Sequence, residues 1–350
     1  MASLLQDDIH EIVSALGDRA NAFSGRRVLI TGSNGFLGRY LVETFCFLNE
    51  SVLPMPCDVV AIDNGLTSGE IADRMRQQSH ITFVDRDICE PFHTSAHVDY
   101  VVHAAGIASP YYYRKFPLET MDVASRGLRN VLELAQSHGA RLLFISSSEI
   151  YGDPDTQHVP TSEDYNGNVS CLGPRSCYDE SKRFGETMLR VFAENYGVEA
   201  VIARPFNVYG PGMSRSDYRI MPNIAECLVG GKVVNIYGSG RQSRTFCYVT
   251  DAIRGLLLTL LKGRSGEAYN VGSSTPEISM ADLVDTIQKQ IPNSDLRYQI
   301  VGYPDSYPAG EPMRRCPDLT KADQHLDYRP NVEFTDGLGR FFGWALDTYR

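Results

Sequence analysis

From Arg26 to about Arg204 the chain alternates short, wholly apolar runs with longer stretches whose apolar positions recur at helical spacing. The runs Val28–Thr31, Val59–Ile62, Ile81–Val84, Tyr100–His103, Leu142–Ser146 and Ala200–Ala203 predict strands buried on both faces. Between them, Leu37–Leu48, Leu118–Gln136 and Tyr178–Tyr196 predict helices. Strands and helices in this alternation specify an α/β fold with a doubly wound parallel sheet. Ahead of it, Leu4, Leu5, Ile9, Ile12, Val13 and Leu16 share one face of an N-terminal helix. Past Arg204, Pro205, Pro211, Pro222 and the turn Gly238–Gly240 break the alternation. Helices Ile220–Val229, Val249–Leu261 and Ala281–Gln288 and a strand Ala268–Val271 are predicted there, in a smaller lobe that closes over the strand ends.

Composition narrows the function without choosing it. A formal charge of -10 opposes nucleic-acid and anionic-membrane partners, although it permits a local basic pocket. The longest apolar run, Leu256 to Leu261, is too short to span a bilayer, and Asp7, Asp8 and Glu11 interrupt any secretory leader. Eight cysteines are scattered without C-x-x-C pairs, and His93 and His97 lack companions for a zinc set. Reduced thiols in a cytoplasmic protein with no metal are expected.

Thr31-Gly32-Ser33-Asn34-Gly35-Phe36-Leu37-Gly38 follows the first strand and opens the first helix. Glycines at this spacing allow a tight turn, let a pyrophosphate approach the backbone, and bring helix and sheet close. With Gly32, Gly35, Phe36, Leu37 and Gly38 at the helix N-terminus, a Rossmann-like dinucleotide site is expected. Asp63 and Asn64 close the second strand, where a carboxylate accepts from the adenosine ribose and repels a 2′-phosphate. No arginine follows directly, so NAD is favoured over NADP. Asp87 and Ile88, after the third strand, are placed beside the adenine.

Tyr178 and Lys182 form Y-x-x-x-K on one helix face, and Ser146-Ser147-Ser148-Glu149 ends the fifth strand about thirty residues earlier. An ammonium beside a phenol makes its proton easier to remove, and a serine hydroxyl reaches the same substrate oxygen.

Together, Gly32–Gly38, Ser147, Tyr178 and Lys182 resemble the extended short-chain dehydrogenases, which include the nucleotide-sugar epimerases and dehydratases. Ser148-Glu149-Ile150-Tyr151-Gly152-Asp153-Pro154 and Gly173 to Arg183 are similar to a narrower group, the UDP-glucuronate decarboxylases. So are Ala108-Ser109-Pro110 with Tyr113 and Pro117, Tyr237-Gly238-Ser239-Gly240 with Arg244, and Arg314-Arg315-Cys316-Pro317-Asp318. The likeness runs from about residue 26 to 340 and leaves the N-terminal helix outside. It implies three parts: an N-terminal helical extension (1–25), an NAD-binding domain (26–205) with return segments near 241–272, and a nucleotide-sugar lobe (206–350).

The resemblance also implies roles. Tyr178, Lys182, Ser147, Ser148 and Glu149 are the catalytic candidates. Tyr113, Asn207, Arg219, Tyr237, Arg244 and one of Arg314 or Arg315 are the substrate candidates, with Arg244 on the diphosphate or the sugar carboxylate. Sugar 4,6-dehydratases carry Asp–Glu where this chain has Ser148-Glu149, so the acid for water elimination is missing. Decarboxylation of UDP-glucuronate through a C4 ketone is the expected activity, with C5 reprotonated through Glu149 or an ordered water. A nucleotide-sugar 4-epimerase or related oxidoreductase on another sugar nucleotide, and a non-catalytic NAD-binding sensor, are the alternatives. A homodimer through the helices Leu118–Gln136 and Tyr178–Tyr196 is expected from the family. Two positions depart from its pattern: Ala124 replaces a common asparagine, and Tyr218 a usual glycine.

Overall fold

The computed structural model describes residues 2–67, 78–291, 296–303 and 311–350. Its centre is a seven-stranded sheet of β1 (Arg27–Thr31), β2 (Asp58–Asp63), β3 (Ile81–Asp85), β4 (Tyr100–His103), β5 (Arg141–Ile145), β6 (Ala200–Pro205) and β7 (Ala268–Val271). All neighbours pair in parallel, in the order β7-β6-β5-β4-β1-β2-β3. The order reverses between β1 and β4, so successive crossovers lie on opposite faces and leave a crevice at the carboxyl ends.

Helices cover both faces. Phe36–Ser51 and Val249–Lys262 share one core with the N-terminal helix Ala2–Leu16. Leu128–His138 and Ser176–Tyr196 fill the other. Ile9, Ile12, Val13 and Leu16 are all buried, as their spacing predicts. Each contributes about 1.5–3 kcal/mol of burial, so the extension is part of the core. Its Asp8 is also buried, and accepts from Tyr40 Oη at 2.8 Å and Tyr248 Oη at 3.0 Å.

The stretch predicted as one helix, Leu118–Gln136, has three parts: Pro117–Asp122, a π turn Val123–Gly127, and Leu128–His138. The π turn points the Val123 carbonyl at Nε2 of buried His103, 3.3 Å away. An average helical period cannot register that one-residue insertion. The fifth strand ends one residue early, at Ile145. Ser147 then caps a short 3-10 turn, Ser148–Tyr151, by accepting from Glu149 N at 3.2 Å.

Among the described residues the remaining chain makes three small sheets and the helices Ile220–Val229, Met280–Gln290 and Phe334–Thr348. One sheet pairs Ser243–Arg244 with Arg314–Arg315, which sets Arg244 beside Arg315 at the rim of the crevice. Among the described residues no helix is long and apolar enough to cross a membrane.

Candidate active site

The glycine turn leaves β1 where the sheet order reverses. Gly32 has φ +71, and a Cβ there would lie 2.6 Å from the Ala105 backbone. A Cβ on Gly38 would meet the Gly32 carbonyl at 2.0 Å. Both positions exclude a side chain, which brings the Phe36–Ser51 helix against the strand ends and presents the first-turn N–H groups of Phe36 and Leu37. Gly35 is the N-cap of that helix. Asp63 accepts from Asn34 N at 2.9 Å and Gly65 N at 2.8 Å, which fixes its carboxylate beside the turn. Asn64 turns away to accept from Leu66 N. Asp87 caps Cys89 N, and Ile88 is buried against Gly127. This cradle fits a dinucleotide: a groove closed to Cβ atoms, a helix terminus for the pyrophosphate, and a fixed carboxylate for a ribose.

One residue at this end lay outside the sequence reading. Arg39 donates to the Asn34 carbonyl at 2.7 Å, and burial lowers its guanidinium while the charge of Asp63 opposes the shift. An arginine therefore stands near Asp63, supplied by the glycine helix and not by the residues after the strand. Its position directly after the third glycine was the available signal.

At the end of β5, Tyr178 and Lys182 are buried on one face of the Ser176–Tyr196 helix. Burial pushes the Tyr178 phenol up to about 12, against the pull of its hydrogen bond with Ser147. Lys182 donates to the Ile145 carbonyl at 2.8 Å and sits 5.9 Å from the Tyr178 ring centre. Burial lowers it to about 8, with Glu186 opposing. His103 takes a hydrogen bond from Thr31 at 2.8 Å, and burial followed by the charge of Lys182 lowers it to about 3. A neutral imidazole so fixed has Nε2–H toward Val123 and adds no charge beside the lysine.

Glu149 forms the second half of the site. Both guanidinium nitrogens of Arg315 reach its carboxylate, at 2.6 and 2.7 Å, and Arg175 bonds it from the other side. Burial raises the carboxyl, but the two guanidiniums overcome it and hold it at about 2. Asp179 lies beyond, with Oδ2 3.6 Å from Arg175 Nε. Burial and then the Glu149 charge push Asp179 upward. Arg175 and Asp179 were not singled out from the sequence; they lie one turn apart at the start of the helix that carries Tyr178.

These residues open on a cavity of about 680 Å3 between the sheet ends and the lobe. Tyr178, Glu149, Tyr113, Asn207, Arg219, Tyr237, Arg244 and Arg315 all line it. Tyr113 stacks on Tyr178 with ring centres 5.4 Å apart, and its buried hydroxyl has no partner. Asn207 is held at φ +39 and donates to the Thr245 carbonyl. Arg219 is braced by Asp217, and Arg244 is fully desolvated with Glu311 3.0 Å away. Ser147, Ser148 and Lys182 lie behind this surface, buried. Arg314 does not join them: it forms a two-pronged pair with Glu277, at 2.8 and 2.6 Å, on the opposite face of its strand. Six cations (Arg114, Lys115, Arg175, Arg219, Arg244, Arg315) line the cavity against the carboxylates Glu149 and Glu311. In a chain of charge -10, that local excess marks an anionic ligand.

Comparison with known proteins agrees with this geometry. Residues 28–272 match the NAD dependent epimerase/dehydratase family. A UDP-glucuronic acid decarboxylase of Arabidopsis thaliana is 35% identical over 319 residues, covering 90% of this chain and 87% of the relative. The UDP-glucuronic acid decarboxylase 1 of Xenopus tropicalis is 35% identical over 321 residues, covering 90% and 71%. Among solved structures, the dTDP-glucose 4,6-dehydratase of Streptomyces venezuelae with NAD and TYD bound superposes with a TM-score of 0.78 at 25% identity, over 92% of this chain and 97% of that one. The UDP-glucuronic acid 4-epimerase of Bacillus cereus, in complex with UDP-glucuronic acid and NAD, gives 0.76 at 25% identity, over 92% and 99%.

Proposed function

The chain belongs to the NAD-dependent epimerase/dehydratase family, and on that premise we propose that it converts UDP-glucuronate to UDP-xylose and CO2. The observation that carries this reading is the cation-lined cavity with Tyr178 and the clamped Glu149 in its wall. A diphosphate and a sugar carboxylate are the anions that such a lining suits, since each guanidinium can bind through two hydrogen bonds.

NAD, held at the Gly32–Gly38 cradle, supplies reversible hydride transfer at C4. The protein moves the protons and holds the charges. Tyr178 takes the C4 hydroxyl proton as its phenolate, a form that burial alone disfavours and that the Lys182 ammonium, the hydrogen bond with Ser147 and the positive charge of bound NAD would stabilise. With C4 a ketone, the C6 carboxylate belongs to a β-keto acid and leaves as CO2. The electrons remain in an enolate whose oxygen Ser147 and Tyr178 stabilise by hydrogen bonding. Held at about 2, Glu149 carries no proton to give at neutral pH. We therefore assign C5 protonation to a water beside it, and assign Glu149 itself the task of orienting Arg315 and Arg175. Of the two arginines offered by the sequence, Arg315 serves the substrate and Arg314 is structural.

Leu118, Met121, Phe184 and Val191 are exposed on the helices Pro117–Asp122 and Ser176–Tyr196. An apolar face there suits pairing with a second copy. None of the eight cysteines is joined in a disulfide, which suits a reducing compartment such as the cytoplasm.

The likeness to an epimerase solved with UDP-glucuronic acid supports a second reading, inversion at C4 without loss of carbon. Incubation with UDP-glucuronate and NAD separates them. CO2 and UDP-xylose without net NADH is the expected result; an isomer of unchanged mass establishes the epimerase. Tyr178→Phe is expected to abolish turnover while NAD still binds.

A further inference from the structure

Tyr111 and Tyr218 approach each other from the two sides of the cavity and stack. Their ring centres are 4.7 Å apart, with planes 25° from parallel. Tyr111 belongs to the short helix Pro110–Lys115 of the sheet domain. Tyr218 belongs to the lobe segment between Val208–Tyr209 and the helix Ile220–Val229. Both line the cavity, yet 43% and 56% of their surface is exposed, so together they form part of its rim.

The contact is more than a chance meeting of surface rings. A second tie joins the same two segments, because Tyr112 Oη lies 3.4 Å from Ser216 Oγ. The lobe segment is anchored behind as well, where Arg215 donates to the Tyr349 carbonyl at 2.5 Å. One peptide beyond Tyr218 is Arg219, whose charge is felt at Tyr178. A movement that separates the rings therefore also shifts a cation at the reacting end.

We propose that Tyr111 and Tyr218 form an aromatic clasp that keeps the oxidised sugar nucleotide in the site until C4 is reduced again. The proposal rests on the decarboxylation reading. A ketone intermediate has no covalent tie to the protein, so only non-covalent closure retains it. An offset-stacked aromatic pair shifts such an open–closed balance by about three- to tenfold. In a turnover that leaks, UDP-glucuronate loses CO2 and its C4 hydride, and the UDP-4-keto-pentose departs. The hydride stays behind as one equivalent of NADH, so the loss is visible in both products.

The test uses the NAD-loaded protein with UDP-glucuronate and compares Tyr218→Gly, Tyr111→Ala and Tyr218→Phe with the parent chain. CO2, UDP-xylose, UDP-4-keto-pentose and NADH are all counted. At equal CO2 released, the ratio of ketone to xylose is expected to rise about three- to tenfold in the Gly and Ala variants. Tyr218→Phe, which keeps the ring, is expected to restore the parent ratio. Both rings lie at the surface, and matched melting curves show that the variants fold. An unchanged ratio in both ring-deleted variants, with CO2 released normally, overturns the clasp alone. A parent chain that releases no CO2 overturns the decarboxylation reading and the clasp with it.

Discussion

Two arginine–glutamate clusters flank the turn Ser146–Glu149, and they differ in how completely they are satisfied. Behind the turn, Glu186 accepts from Arg204 at 3.0 and 2.6 Å and from the Ser146 hydroxyl at 2.6 Å. Arg204 spends its other donors on Tyr151 Oη at 2.7 Å and the Glu163 carbonyl at 3.0 Å. Tyr151 in turn donates to Asn270. In front, Glu149 accepts from Arg315 and Arg175, but Arg315 Nε and Asp179 Oδ1 are buried with no partner. The first cluster is saturated and ties the Ser176–Tyr196 helix and the Ser148–Tyr151 turn to the strand ends at Arg204 and Asn270. The second keeps two unpaired polar atoms, and its Glu149, Arg175 and Arg315 line the cavity. A buried ion pair reads as structure when its hydrogen bonds are complete, and as a site when they are not.

The largest effect is expected on the open side. Glu149→Gln keeps the shape but removes the charge that orients two arginines, and should lower CO2 release by about 100- to 1,000-fold. Its melting temperature should fall less than that of the closed-side variant. Steady-state turnover and thermal melts check both statements, and equal losses of stability in the two variants break the comparison.

On the closed side, Glu186→Gln leaves Arg204 buried without its counter-charge. The expected loss is about 3–5 kcal/mol of stability, measured by urea unfolding. Glu186 also supports the charge of Lys182, so turnover by the fraction that remains folded should fall too, but by less than in Glu149→Gln. A large loss of turnover without a loss of stability would assign Glu186 to the chemistry.

A third carboxylate sharpens the contrast because it has hydrogen bonds but little charge compensation. Asp8 is raised from the usual 3.8 to about 6 by burial, against the hydrogen bonds of Tyr40 and Tyr248 and the charge of Arg340 3.7 Å away. The native state then holds that proton more tightly than the unfolded chain. Its contribution is complete below the ordinary carboxyl pKa and is lost as pH rises through about 6. The loss amounts to at most about 3 kcal/mol. Asp8→Asn should remove that slope between acid and neutral pH while the slopes of other groups persist. A variant with the parent's pH profile contradicts the assignment.

Local pattern carried much of this arrangement. The glycine turn, the strand-end Asp63 and the Tyr178–Lys182 pair follow from spacing within one element, and their neighbours are set by that element's geometry. The clusters compared above do not. Glu186 meets Arg204 once helix and strand have packed, and Glu149 meets Arg315, across 166 residues of sequence, only after the sheet and lobe have assembled. Arg314 and Arg315 are adjacent in sequence, and a strand turns neighbours to opposite faces. Which one faces the cavity depended on register with Ser243–Arg244, a non-local fact. The π turn was hidden because the apolar period on either side of it is nearly unbroken.

The central claim is that C4 is oxidised and then reduced again within one turnover, around the loss of C6. UDP-glucuronate carrying deuterium at C4, turned over in ordinary water, tests it most directly. In a single turnover the deuterium is expected to appear transiently on the cofactor and to return to C4, so that UDP-xylose keeps it, with one CO2 per product and no accumulated NADH. UDP-xylose that has lost the C4 label to solvent, or CO2 released without C4 ever transferring its hydride, would contradict it.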